Sequence, residues 1–280
     1  MLPVGILTSL AIVFRMEISY LHHIMQRCRQ EFTTSFTTPF TTSIINRPSS
    51  PKVMVETVST GTVLFDSLLG SGYETDVVTT IYGPPGSGKT TVCLLASIAA
   101  VKNQKKVLYV DTEGGFSAVR FNQLSGSLPL LDKIFILKPT TFAEQIKTMN
   151  RLKELVNDKI GLVVMDTISM LYRVELSKGH DIKSLSNELS MQVSFLSEIA
   201  RTKSIPVLVT NQVYSDFEEK GNVRMLGGDL LKYSSKCLIE LQKLHSGKRI
   251  AALRKHRSLS DDRSVEFFIR ESGFDAAVKK

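Results

Sequence analysis

Along the chain, short apolar runs rich in Val and Ile alternate with longer stretches whose apolar residues recur every three or four positions. Residues 77–82, 107–110, 162–165 and 207–210 are runs of the first kind, and each reads as a strand. Residues 91–100 read as a buried helix, and 141–156 and 185–203 as helices with one apolar face. Strand and helix alternate. The pattern predicts an α/β fold with a mostly parallel central sheet and helices on both faces. After Gly227-Gly228 the pattern changes: residues 237–244, 250–253 and 265–269 read as an antiparallel C-terminal extension, with a hairpin at Gly247.

The stretch before Met54 does not share this pattern. An apolar start and a His/Arg segment lead to Phe32-Thr-Thr-Ser, Phe36-Thr-Thr-Pro and Phe40-Thr-Thr-Ser, then to Arg47-Pro-Ser-Ser-Pro-Lys52. This is low-complexity sequence, predicted to be disordered. Residues 1–53 are therefore set apart from a core domain at 54–280. A secretory signal needs a basic start, which Met1-Leu2-Pro3-Val4 lacks; an organellar transit peptide fits in part. The favoured reading places the true start of the chain at Met54.

Composition narrows the classes. The chain has 280 residues, enough for a substantial core, and 42% of them are apolar. No apolar run reaches the roughly 18–20 residues of a membrane span. The net charge of +8 favours a polyanionic partner. Cys28, Cys93 and Cys237 are far apart and form no metal or disulfide spacing, which suits a reducing, cytoplasmic setting.

The chemistry begins at Gly83-Pro-Pro-Gly-Ser-Gly-Lys-Thr90, which lies between the first predicted strand and the buried helix. Strand, GxxxxGK[ST] and helix together are a phosphate-binding loop in its required context. Gly86 and Gly88 let the backbone curl until its N–H groups point inward at phosphate oxygens. Lys89 supplies a point charge to the β- and γ-phosphates, and the Thr90 hydroxyl is placed to ligate Mg²⁺. Gly83, Pro84, Pro85, Ser87 and Thr91 complete the predicted cradle.

Three later strand ends add polar groups where an open parallel sheet holds its ligand. Asp111-Thr-Glu113 offers Glu113 as a general base for an attacking water, or else an N-cap acid. Asp166 follows four apolar residues in the Walker B form and would hold the magnesium shell. Gln212 could donate to a γ-phosphate and lose that bond on hydrolysis, or be a satisfied loop amide.

Several motifs together resemble RecA-type recombinase cores: Val58-Ser-Thr-Gly61 through Gly70, Tyr109-Val-Asp-Thr-Glu-Gly-Gly-Phe116 with Arg120, Val164-Met-Asp-Thr-Ile-Ser169, and Val209-Thr-Asn-Gln-Val213. Gly227-Gly228-Asp229 and residues 254–262 fit the later part of such a core. The Glu-Gly-Gly-Phe-Ser form and the short length look most like the RadB family of archaeal recombinase paralogues. That resemblance implies a RecA-like ATPase core that binds ATP, Mg²⁺ and single-stranded or branched DNA, hydrolyses ATP weakly, and assists the main RadA-type recombinase, with homo-oligomers an open prospect. It implies catalytic roles for Lys89, Glu113 and Gln212, magnesium at Thr90 and Asp166, and Arg120 beside the adenine. It makes residues 172–185 the first DNA-facing loop and 214–226 the second. The Phe-Thr-Thr units resemble a subunit-joining segment of the eukaryotic members. Here the fourth residue is Ser35, Pro39 or Ser43 rather than a small apolar anchor, so chance repetition is the better reading.

The second loop carries Asp216, Glu218 and Glu219 against Lys220 and Arg224, which argues against tight filaments on single strands. Lys243, Lys248, Arg249, Arg254, Lys255 and Arg257 gather later, so this cluster is expected to add more DNA affinity than the loop. The functions in competition are an accessory or mediator of recombination, a strand-exchange recombinase, a small-molecule kinase and a KaiC-like signalling ATPase. No kinase-type lid is evident, and the Thr-Asn-Gln-Val segment favours recombination.

Overall fold

The computed structural model describes residues 56–215, 223–225 and 228–277, all within the unit Met54–Lys280. The Phe-Thr-Thr repeats and residues 216–222 of the second loop lie outside the described residues.

A two-stranded antiparallel pair, β1 (Thr57–Val58) and β2 (Tyr73–Glu74), brackets α1 (Val63–Leu68). The alternating part follows: β3 (Val78–Gly83), α2 (Lys89–Lys102), β4 (Lys106–Asp111), α3 (Ala118–Ser125), β5 (Ile134–Leu137), α4 (Phe142–Leu155), β6 (Ile160–Asp166), α5 (Met170–Ser177), α6 (Ile182–Lys203) and β7 (Val207–Ser215). Then come β8 (Val223–Met225), α7 (Gly228–Ser234), β9 (Cys237–Lys243), β10 (Arg249–Lys255), β11 (Ser264–Arg270) and β12 (Gly273–Ala276). One ten-stranded sheet has the order β12-β11-β10-β9-β3-β7-β6-β4-β5, with β8 paired to β7. The strands from β9 to β5 are parallel, and β10, β11 and β12 continue antiparallel.

Two cores sandwich the sheet, and the strands show why. Along β4, Val107 and Tyr109 join one core while Leu108 and Val110 join the other; β6 divides Leu162 and Val164 from Val163 and Met165 in the same way. Side chains alternate across a strand, so a strand covered on both faces must be apolar throughout. Helix α2 is buried on most of its circumference, which matches its unbroken apolar sequence. The C-terminal strands differ. Ala251, Leu253 and Phe267 enter the first core, while Lys248–Glu266 at 3.0 Å and Arg254–Glu240 at 2.6 Å pair at the surface.

Three details correct or extend the sequence reading. The antiparallel extension stands as expected, with β9 antiparallel to β10, but its first strand also joins the parallel part: β9 runs parallel to β3, with Thr79 opposite Cys237. Helix α7 carries the chain back across the sheet, which a parallel neighbour requires. Residues 172–185 are not mainly a loop either. Helices α5 and α6 claim most of them, and Tyr172 is buried, edge-on to Phe142, with its hydroxyl 3.0 Å from Ser186 Oγ. Strand β5, which the sequence reading did not single out, forms one edge of the sheet.

Candidate nucleotide site

The phosphate loop leaves β3 at Gly83 and enters α2 at Lys89, so the free N–H groups and positive end of α2 point into the site. Gly88 caps that helix at φ +108°, a backbone state that side chains other than glycine's resist. Lys89 is buried, and its Nζ donates to Gly83 O at 2.9 Å and Pro84 O at 3.1 Å. Burial pushes the ammonium below its usual pKa, and the carboxylates of Glu113 and Asp166 oppose that shift.

Four strand ends converge here because the strands are parallel neighbours in register. Gly83 lies opposite Gln212, and Asp111 opposite Asp166. Gln212 Nε2 donates to Glu113 Oε1 at 2.7 Å, and Thr167 Oγ1 donates to the same oxygen at 2.9 Å. Asp166 is held from two sides: Tyr109 OH donates to Oδ2 at 2.8 Å, and Thr210 Oγ1 donates to Oδ1. Asp111 accepts the Gly115 and Phe116 amides at 3.0 and 3.1 Å, which fixes the turn that presents Glu113.

A cleft of about 280 Å³ is lined by Pro85, Gly86, Gly88, Lys89, Thr90, Thr91, Glu113, Asp166, Gln212 and Ile269. Nine of these ten were expected from sequence. Gly83 and Pro84 contribute the carbonyls that hold Lys89. Ser87 is fully buried, and its Oγ has no partner among the described residues, so the loop holds an unmet polar group. Curled amides, one buried cation, a hydroxyl and two carboxylates are the donor set a nucleotide polyphosphate with a divalent cation needs. The residues fit that group: Thr90 and Asp166 line the cleft as a hydroxyl and a carboxylate that could hold the metal.

Arg120 is not among the residues lining this cleft. Its guanidinium donates to Glu271 O at 2.9 Å and Arg270 O at 2.6 Å, the turn between β11 and β12. That turn follows Ile269, whose Cδ1 stands 2.9 Å from the point where a Cβ on Gly88 would sit. Ile269 was missed because nothing local marks an apolar strand residue 181 positions after Gly88 as a wall of the phosphate loop. Arg249 Nη2 donates to Gly86 O at 3.2 Å, and Lys243 Nζ also approaches Gly86. The late basic cluster is thus divided: two members sit on the phosphate loop, and Lys248, Arg254 and Arg257 are engaged by carboxylates.

Burial pushes the Tyr109 hydroxyl well above its usual pKa, so it stays protonated and remains a donor to Asp166. Tyr109→Phe leaves a buried carboxylate with one donor fewer. The expected loss is about 1.5–3 kcal/mol in urea unfolding. An unchanged midpoint would mean that the bond adds nothing net.

A phosphate loop on a parallel sheet, with a held carboxylate beside it and a second acid bonded by a strand-end amide, defines a RecA-type P-loop nucleotide-binding core. The chain belongs to the Rad51 family, which matches residues 52–277. It is 42% identical over 222 residues to a DNA repair and recombination protein RadB of Methanoculleus marisnigri, covering 77% of this chain and 96% of that one. It is 39% identical over 210 residues to the RadB of Methanococcoides burtonii, covering 74% and 92%. Among solved structures it resembles a RadB recombinase crystal structure, with a TM-score of 0.68, 35% identity, and coverage of 79% of this chain and 100% of that one. No helix among the described residues is long and apolar enough to cross a membrane, and none of their His, Cys, Asp and Glu side chains group as a metal site.

Proposed function

We propose that the chain is an ATP- and DNA-binding protein of homologous recombination and DNA repair, acting in the cytoplasm as an accessory to a main RadA-type recombinase, with slow ATP hydrolysis. Family membership supports the recombination role, and the names of the relatives point the same way. The observation that carries the ATP-linked part is the 2.7 Å bond between Gln212 and Glu113. Gln212 lies on β7, which runs on to Ser215 and so into the second predicted DNA loop at 214–226. A γ-phosphate that draws the Gln212 amide would release Glu113 and pull on the strand that feeds that loop. Magnesium, when bound through Thr90 and Asp166, supplies charge neutralisation at the phosphates. Glu113 orients water and accepts its proton, and Lys89 holds the terminal phosphates.

The test is steady-state ATP hydrolysis by the full chain and by Glu113→Gln, with and without single-stranded DNA. The wild type is expected to turn over slowly with little response to DNA while still binding it. Glu113→Gln should retain ATP and lose roughly 100-fold or more in turnover. Strong DNA stimulation would replace the accessory reading with that of an active recombinase. Unchanged turnover in Glu113→Gln would remove Glu113 from catalysis.

A further inference from the structure

The end of α7 is unlike the rest of the basic surface. Tyr233 is 73% exposed, and Lys232 and Lys236 on either side of it are exposed as well. Lys255 reaches across from β10, and its Nζ donates to Lys232 O at 2.8 Å, which fixes a third ammonium at the same place. Burial, then Lys236 and Lys232, push the Lys255 ammonium below its usual pKa. The neighbouring cations are neutralised within the chain: Arg254 by Glu240, Lys248 by Glu266, and Arg257 by Glu74 and Asp76. Among the described residues the three lysines have no such carboxylate.

Lys236 also lines a cleft of about 740 Å³ with Arg201, Arg257, Ser234, Asp76 and Glu198. Arg257 grips Asp76 through two bonds of 2.8 and 2.9 Å, so that acid is already met and Glu198 is the remaining carboxylate of the lining. The cleft therefore extends the positive surface.

Uncompensated like charges favour an anion from outside the chain. The flat exposed ring between them is what an unpaired base stacks on, while the cations track a phosphate backbone. An acidic peptide would use the lysines and leave the ring idle. We propose that Lys232, Tyr233, Lys236 and Lys255 form a platform for single-stranded nucleic acid, apart from the two predicted loops and the β9–β10 hairpin. Two phosphates sit on Lys232 and Lys236, and one base sits on Tyr233. The choice of nucleic acid as the polyanion rests on the reading under Proposed function; the surface itself does not.

The chain contains no tryptophan, so Tyr233→Trp installs a single reporter in the full-length protein. Titration with an oligothymidylate is expected to quench its emission. Adding Lys232→Glu and Lys236→Glu in that background should weaken binding roughly tenfold. It should also reduce the slope of log affinity against log salt by about 1.4, since each phosphate contact on a single strand contributes about 0.7. Circular dichroism checks that the variants fold alike. If anisotropy shows the oligonucleotide bound while emission and slope stay unchanged, the platform is overturned and the DNA-binding reading survives. If the wild type binds no oligonucleotide at low salt, both fall. Quenching by polyglutamate without binding of the oligonucleotide would overturn the platform in favour of an acidic protein partner.

Discussion

Lys89→Ala is expected to lose nucleotide binding by at least roughly 100-fold and to abolish hydrolysis. Among the described residues Lys89 is the one cation lining the cleft, and it is buried beside the loop carbonyls of Gly83 and Pro84. Hydrogen bonds to charged groups contribute about 1.5–3 kcal/mol each, and the ammonium can give more than one to a polyphosphate. No neighbour can take its place. Lys243 and Arg249 approach from the Gly86 side, outside the lining, and Arg249 is already bonded to Gly86 O. The alanine also leaves Glu113 and Asp166 without the positive charge they share, so the charged lining goes from one cation against two carboxylates to two carboxylates alone and repels phosphate more strongly. Calorimetric titration with ATP and a phosphate-release assay measure the two effects. Affinity within a few-fold of wild type would mean that the loop amides alone hold the nucleotide.

The second large effect concerns stability. Gly61→Ala is expected to cost about 3 kcal/mol or more. Gly61 has φ +84°, and a Cβ there would stand 2.2 Å from the carbonyl oxygen of Leu95. The left-handed conformation alone costs about 1–2 kcal/mol for a residue with a side chain. The remainder comes from moving backbone, since Leu95 belongs to α2 and cannot yield as a flexible side chain would. The segment before Gly61 has little freedom to lift: Thr60 N donates to Asp66 Oδ1 at 2.7 Å and Ser59 Oγ to Asp66 Oδ2 at 2.9 Å. Urea unfolding followed by circular dichroism reads the loss. A midpoint unchanged from wild type would show that the lead-in segment detaches without cost. Because α2 carries Lys89 and Thr90, a milder loss of stability should also weaken ATP binding.

The sequence was most informative where structure is local. The phosphate loop, the strands that end at Glu113, Asp166 and Gln212, and the helices between them are written in short windows: an apolar run, a glycine, a polar tip. What escaped depends on which distant segments meet. β9 reads like a strand in either direction, and only its pairing with β3 makes it parallel. The family resemblance makes residues 172–185 a loop, yet Tyr172 is drawn into the core by Phe142. The six late cations look like one patch in sequence. In the fold, alternate residues of β9 and β10 point to opposite faces, so Lys243 and Arg249 reach the phosphate loop while Arg254 meets Glu240. Ile269 and the Lys255 contact with α7 have the same origin in long-range pairing.

The register of β3 against β7 also bears on where the chain can change length. Gly83 pairs with Gln212, and the ladder below them is unbroken from Val78 and Val207 upward. One residue inserted within that ladder would rotate the amide of Gln212 to the opposite face and bring a neighbour toward Glu113 in its place. The same residue inserted after Ser215 would leave every pairing of the core intact. Lineages that lengthen, shorten or recharge the segment beyond Ser215 can therefore retune what it touches, while the span from Val207 to Gln212 keeps one length.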